Sequence, residues 1–276
     1  VVDGFFWSVA HSARLLPLTH PRVHGLELIQ DVPYLADGSR DHLLDLYRPA
    51  QRRGPLPVIF YVHGGGFRVL SKETHRVFAL AFARRGYLVV SINYRLAPRH
   101  PFPAAHADTC AAWLWTLRHI AEYGGDPTRI AVAGESAGGN LAASLTLATC
   151  LRRPEHWARE VFDAGVVPLA AMPACGILQV SDPERFLRER PLSPFIHDRL
   201  AEVGDAYLAP VLHRPMHELE MADPLCIIER TERWDRPLPP FFVPVGTRDP
   251  LVDDTRRLER ALHRLGVTCD ARYYDG

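Results

Sequence analysis

Arg129-Ile130-Ala131-Val132-Ala133-Gly134-Glu135-Ser136-Ala137-Gly138-Gly139-Asn140 is the stretch that decides the fold. Residues 130–133 are a short apolar run of strand type, and residues 137–151 form a long small-residue run of helical length. Between them stands Gly134-Glu135-Ser136-Ala137-Gly138, a G-x-S-x-G pattern. A serine at such a strand-to-helix turn holds its hydroxyl above the sheet. Glycines flank it because side chains there would strike neighbouring backbone. The helix N-terminus at Ser136 adds positive dipole and free N–H groups beside any developing oxyanion. Taken by itself the pattern is weak, and the alternative is a glycine-rich turn with an inert serine. The strand before it and the helix after it argue for a nucleophile.

Working outward toward the N-terminus, residues 57–62 form an apolar strand run that ends in His63-Gly64-Gly65-Gly66-Phe67. Consecutive glycines let a backbone approach a carbonyl closely and present N–H groups to it, the usual partner of a G-x-S-x-G turn. An anion nest for phosphate is the competing reading. Neither G-x-G-x-x-G nor G-K-[ST] follows, so phosphate is disfavoured. On the C-terminal side, Asp249 lies just past a strand at residues 241–246 and suits the acid in the order Ser…Asp…His. Capping the next helix is its alternative role, but Asp253 and Asp254 are better placed for that. No histidine follows Asp249 except His263, which lies within the predicted helix 253–265, on the wrong side for a base.

The remaining pattern alternates. Strands are predicted at 26–34, 41–47, 88–93 and 267–274, and helices at 74–85, 104–122 and 253–265. Apolar strands separated by helices mean a parallel sheet covered on both faces. Residues 181–240 depart from this, being rich in proline and charge, with one helical piece at 196–208. They read as an insertion packed over the strand ends. Residues 5–16 read as an amphipathic helix stopped by Pro17 and Pro21. The domains expected are an N-terminal cap helix at 1–25, a core at 26–180 and 236–276, and a cap insertion at 181–235.

Composition narrows the function classes. Lys+Arg and Asp+Glu are 32 each, which gives zero formal net charge and no basic run for nucleic acid. Cys110, Cys150, Cys175, Cys226 and Cys269 are widely spaced and read as free thiols of a reducing compartment. His20 with His24, and His213 with His217, have metal-like spacing, but Pro21 and Pro215 break both pairs, so no metal site is expected. No apolar run reaches the roughly 18 residues that span a bilayer. The cytoplasm is the expected compartment, and the start at Val1 leaves room for a targeting signal upstream.

These motifs together resemble the hormone-sensitive-lipase branch of the α/β-hydrolases, the bacterial family IV esterases. The resemblance runs from about Leu26 to Gly276 and rests on Tyr61-Val62-His63-Gly64-Gly65-Gly66-Phe67, Asn93-Tyr94-Arg95-Leu96-Ala97-Pro98, Gly125-Asp126-Pro127, the serine turn and Asp249-Pro250-Leu251. It implies an α/β-hydrolase fold, with a mostly parallel central sheet flanked by helices and a helical cap. It implies a triad of Ser136, Asp249 and a histidine expected just beyond Gly276, so the sequence reads as cut at both ends. The implied oxyanion hole is the N–H groups of Gly64, Gly65 and Ala137, with His63, Gly66, Gly134 and Gly138 as motif residues. The implied activity is hydrolysis of short-chain acyl esters through an acyl-enzyme, without cofactor. A small ester is the expected partner and a homodimer a candidate assembly. Two alternatives stay open: an amide, formamide or acetyl-group hydrolase of the same fold, and a receptor-like binding protein without the histidine. Glu135 stands where aspartate is commoner, a mild departure.

Overall fold

The computed structural model describes residues 20–189 and 193–275. The helix expected at 5–16 lies outside them. Eight strands form one sheet in the order β1-β2-β4-β3-β5-β6-β7-β8. They are β1 (Leu26–Pro33), β2 (Leu43–Pro49), β3 (Leu56–Val62), β4 (Leu88–Ile92), β5 (Gly125–Glu135), β6 (Ala171–Ala174), β7 (Phe241–Gly246) and β8 (Cys269–Tyr274). From β4 to β8 every neighbouring pair is parallel, whereas β1–β2 and β2–β4 are antiparallel. The sheet is therefore mostly parallel, as an α/β-hydrolase requires.

Eight α-helices accompany it among the described residues: α1 (Arg76–Ala83), α2 (Ala104–His119), α3 (Ala137–Cys150), α4 (His156–Asp163), α5 (Arg185–Glu189), α6 (Pro194–Tyr207), α7 (Pro224–Arg230) and α8 (Val252–Arg264). The central strands β3 and β4 bury both faces because they are apolar at nearly every position, whereas the edge strands β1 and β8 carry charged residues and are more exposed. In β3, Val58, Phe60 and Val62 join one core cluster, while Ile59 and Tyr61 join another against α1. Phe60 meets Trp113 of α2 edge-on, with ring centroids 5.7 Å apart. Truncating such a buried ring costs about 3–5 kcal/mol.

Two helices show how sequence sets burial. α8 buries Val252, Thr255, Leu258, Ala261 and Leu262, one face at helical spacing, and leaves its charged face to solvent. In α3 all 14 residues are buried. At Gly138 and Gly139 the missing side chains let the backbone of residues 62–63, 174 and 176 close in.

Several predicted bounds need correction. Residues 40–42 are a 3-10 turn, so the second strand starts at Leu43 rather than at 41. The strand before the serine runs 11 residues, because Gly125-Asp126-Pro127 belongs to it. The helix from Ala104 ends at His119 and tightens into a 3-10 turn at Ile120–Tyr123. α4 and β6 were not predicted. The region between β6 and β7 holds α5 and α7 beside the one expected helix.

Candidate active site

The parallel strands β3, β5, β6 and β7 end on the same side of the sheet, where open α/β sheets place their ligands. Val62 of β3 is level with Gly134 of β5, and Glu135 is level with Ala174 of β6. The residues that follow therefore converge: His63–Phe67 after β3, Ser136 after β5, Cys175 after β6, and Thr247–Asp249 after β7.

Ser136 has φ 54° and ψ −118°, a backbone conformation that non-glycine residues rarely adopt. Such strain persists only where the surroundings impose it. Here the Ser136 N–H donates to Ala174 O at 3.0 Å, and Ser136 O accepts from Asn140 and Ile177 at 3.1 and 3.2 Å. The turn is also closed sterically. A Cβ on Gly138 would lie 2.2 Å from Val62 O, and one on Gly134 would lie 2.3 Å from Gly138 O. These two glycines let the start of α3 press on the end of β3, and Ser136 is left half-buried above them.

The glycine loop is built by its neighbours. Gly65 has φ +110°, and a Cβ there would lie 2.2 Å from Val69 O. Its carbonyl accepts the N–H groups of Arg68 and Val69 at 3.0 and 3.1 Å. Behind the loop, His63 is buried and stacks on Tyr94 with centroids 4.3 Å apart. The Tyr94 hydroxyl donates to His63 O at 2.8 Å. Burial, helped by the nearby His75, pulls the His63 imidazole down to about 4, so it is neutral at pH 7.

One expectation about the loop is corrected. The Gly64 N–H donates to Glu135 Oε1 at 2.6 Å and so does not point at a substrate. No acceptor among the described residues takes the N–H of Gly65, Gly66 or Ala137. Gly66, quoted from the sequence only as a motif residue, replaces Gly64 as the candidate donor. Three successive glycines do not reveal which peptide turns inward, so the sequence carried no signal for this.

Asp249 stands three residues past the end of β7. Its N–H donates to Gly246 O at 3.1 Å, and its Oδ1 accepts the Leu251 N–H at 2.7 Å. Its charge reaches toward the serine turn: Cys175, next after β6, has its thiol pushed up to about 11, first by burial and then by the Asp249 carboxylate. Asp253 and Asp254 do not cap α8, whose N-cap is Leu251. Asp254 is wholly buried and pairs with Arg185 of α5, with Nη2 to Oδ2 at 2.6 Å. His263 is exposed on α8.

The segment between β6 and β7 covers the loop. A Cβ on Gly66 would meet Val203 Cγ2 of α6 at 2.8 Å. Arg68 pairs with Glu202 at 2.8 Å, and Phe67 stacks on Tyr207 with centroids 4.0 Å apart and planes 2° from parallel. The Tyr207 hydroxyl meets His106 Nδ1 at 2.7 Å, and His106 Nε2 meets Ser144 Oγ at 3.1 Å. Ser144 in turn donates to Met221 O at 2.8 Å. His106 is fully buried, and burial pulls its imidazole down to about 3.

Comparison with known proteins agrees with this geometry. A family model described as alpha/beta hydrolase fold matches residues 59–276. Carboxylesterase NlhH of Mycobacterium tuberculosis is 34% identical over 238 residues, which cover 85% of this chain and 69% of that protein. Esterase LipI of the same species is 31% identical over 278 residues, covering 96% of this chain and 78% of that protein. Among solved structures, a bacterial heroin esterase superposes with a TM-score of 0.77 at 27% identity, covering 98% of this chain and 80% of that one. An esterase of the bacterial hormone-sensitive lipase family gives 0.69 at 27% identity, covering 91% and 75%. The chain belongs to the alpha/beta hydrolase fold family, in its hormone-sensitive-lipase branch of carboxylic-ester hydrolases.

Proposed function

We propose that Ser136 is the nucleophile of this ester hydrolase and forms an acyl-enzyme with short-chain acyl esters. The observation that carries this reading is the strained Ser136 backbone, at φ 54° and ψ −118°, on a turn sealed by Gly134 and Gly138. Nothing about the fold requires a strained serine there, whereas a nucleophile above the strand ends does. The tetrahedral oxyanion is received by the N–H groups of Gly65, Gly66 and Ala137. Asp249 orients a histidine that, in the order Ser…Asp…His, comes from a loop after β8. That histidine takes the Ser136 proton during attack and returns it to the leaving alcohol. Hydrolysis of the acyl-enzyme by water, with the same base, regenerates the serine. None of these steps needs a metal or cofactor. Residues 181–235 serve as the cap, and α6 forms its contact with the reaction centre. Among the described residues no helix is long and apolar enough to cross a membrane.

The test is Ser136→Ala in the protein expressed from its complete gene, assayed on p-nitrophenyl butyrate and with a fluorophosphonate probe. Loss of a triad member costs about 10⁶ in kcat in the subtilisin precedent, so turnover should vanish along with labelling. Turnover above a few per cent of the parent's, or a label mapped to another residue, sinks the assignment.

A further inference from the structure

Glu135 makes more contacts than a residue between a strand and a nucleophile needs. Its Oε1 accepts the Gly64 N–H at 2.6 Å and faces His75 Nε2 at 2.8 Å. Its Oε2 accepts the Tyr61 hydroxyl at 2.7 Å. The three partners come from β3, from the glycine loop and from the start of α1. Steric contact reinforces the bonding, since a Cβ on Gly64 would lie 2.3 Å from Glu135 Oε1 and 2.7 Å from Glu135 O. The Gly64 peptide is thus pressed against the residue that precedes the serine.

A carboxylate here needs a reason. It sits one residue from Ser136, where a second negative charge develops during attack, and unscreened like charges repel. Burial alone would push its carboxyl up, yet the His75 contact, followed by the Tyr61 bond, holds it below the usual range. The charge is therefore kept, and shared among three donors.

We propose that Glu135 is a positioning residue for the oxyanion: by holding the Gly64 N–H it fixes the loop so that the Gly65 and Gly66 N–H groups face the reacting carbonyl. This rests on Ser136 being the nucleophile. The orientation of Gly64 is set before substrate arrives, so the donors need no reorganisation as charge develops. A carboxamide can do the same work, because the Gly64 N–H and His75 Nε2 share one oxygen and the second terminal atom can donate to the tyrosine oxygen.

The experiment uses the protein expressed from its complete gene. Glu135→Ala should lower kcat by about tenfold to a hundredfold, the cost of misplacing catalytic groups by about 1 Å, with KM within about threefold. Glu135→Gln should restore kcat to within about threefold of the parent. The inhibition constant of a trifluoromethyl ketone, whose adduct carries an oxyanion, should weaken in step with kcat/KM in Glu135→Ala. Gly64→Ala, which must displace the carboxylate, should give a similar loss, and the two changes together should be far from additive. A folded Glu135→Ala with parental kcat overturns the proposal. So does a Glu135→Gln as poor as the alanine variant. If Glu135→Ala does not fold, Tyr61→Phe decides: a loss of kcat at constant KM supports the proposal, and a parental kcat overturns it. The underlying assignment is checked separately in the unmodified protein, by mapping the fluorophosphonate adduct to Ser136 or to another residue.

Discussion

Glu135 and Asp254 are two carboxylates doing the same mechanical job on opposite sides of the site. Each accepts a backbone N–H and a basic side chain. Glu135 takes the Gly64 N–H and His75; Asp254 takes the Leu178 N–H at 2.8 Å and the Arg185 guanidinium. One holds the glycine loop, the other ties α5 and the chain after β6 to α8. Their ionisation nevertheless moves in opposite directions. Glu135 is held below the usual carboxylate range because its hydrogen-bond partners outweigh its burial. Asp254 is pushed above it, because complete burial outweighs even the arginine. An ion pair is therefore no guarantee of a comfortable charge. Both carboxylates accept three donors, and what decides is that Asp254 is wholly buried while Glu135 keeps some exposure.

The largest effect should come from breaking the cap-side pair. Arg185→Met leaves Asp254 charged and wholly buried, so unfolding free energy should fall by about 3–5 kcal/mol in urea titrations. A loss under about 1 kcal/mol would show that the carboxyl simply takes up a proton, and would erase the distinction between the two sides.

Acid comes next. His63 and His106 are buried neutral, with folded values of about 4 and about 3, against about 6.5 in an unfolded chain. The unfolded state binds more protons below pH 6.5, so stability is fully present above that value and falls as pH drops toward 4. From pH 7 to pH 5 each histidine should cost about 2 kcal/mol. Glu135, with its lowered value, adds a loss only at more acidic pH, while Asp254 opposes it there. Denaturant midpoints followed against pH would show this, and His106→Asn should flatten the slope. An unchanged slope in that variant would place the sensitivity elsewhere.

The double change Arg185→Met with Asp254→Asn sharpens the contrast further. The amide still accepts the Leu178 N–H but carries no charge, so we expect stability within about 1.5 kcal/mol of the parent. The smallest effect belongs to an exposed pair, Arg152 with Asp163 at 2.8 Å, where alanine at either position should change unfolding free energy by less than about 1 kcal/mol.

The parts of this molecule that were legible in the sequence share a property: they are local. The serine turn, the glycine loop after β3 and Asp249 after β7 each announce themselves within a few residues, and the alternation of apolar runs yields the parallel sheet. β6 was missed because Ala-Met-Pro-Ala is too short and too proline-broken to show a period. Glu135 looked like a mild substitution because Tyr61 and His75, which give it meaning, lie more than 50 residues away. Asp254 was taken for a helix cap because its position in α8 suggests one, and Arg185 meets it only across the fold. Gly64 was placed in the oxyanion hole for the same reason, since peptide orientation depends on a distant carboxylate.

The contact of Gly138 with Val62 and His63 has a further consequence for how such a molecule can change. With a Cβ at Gly138 only 2.2 Å from one carbonyl and 2.6 Å from the next, the start of α3 meets the end of β3 backbone to backbone there. Such a contact offers no side chain to exchange for a larger or smaller one. New substrate preferences are then expected on the opposite bank, where Val203 leans over Gly66 and can be exchanged without disturbing the buried Tyr207 behind it. A library drawn from α6 should thus shift acyl preference while leaving the chemistry untouched, and one drawn from the turn should mostly yield dead protein.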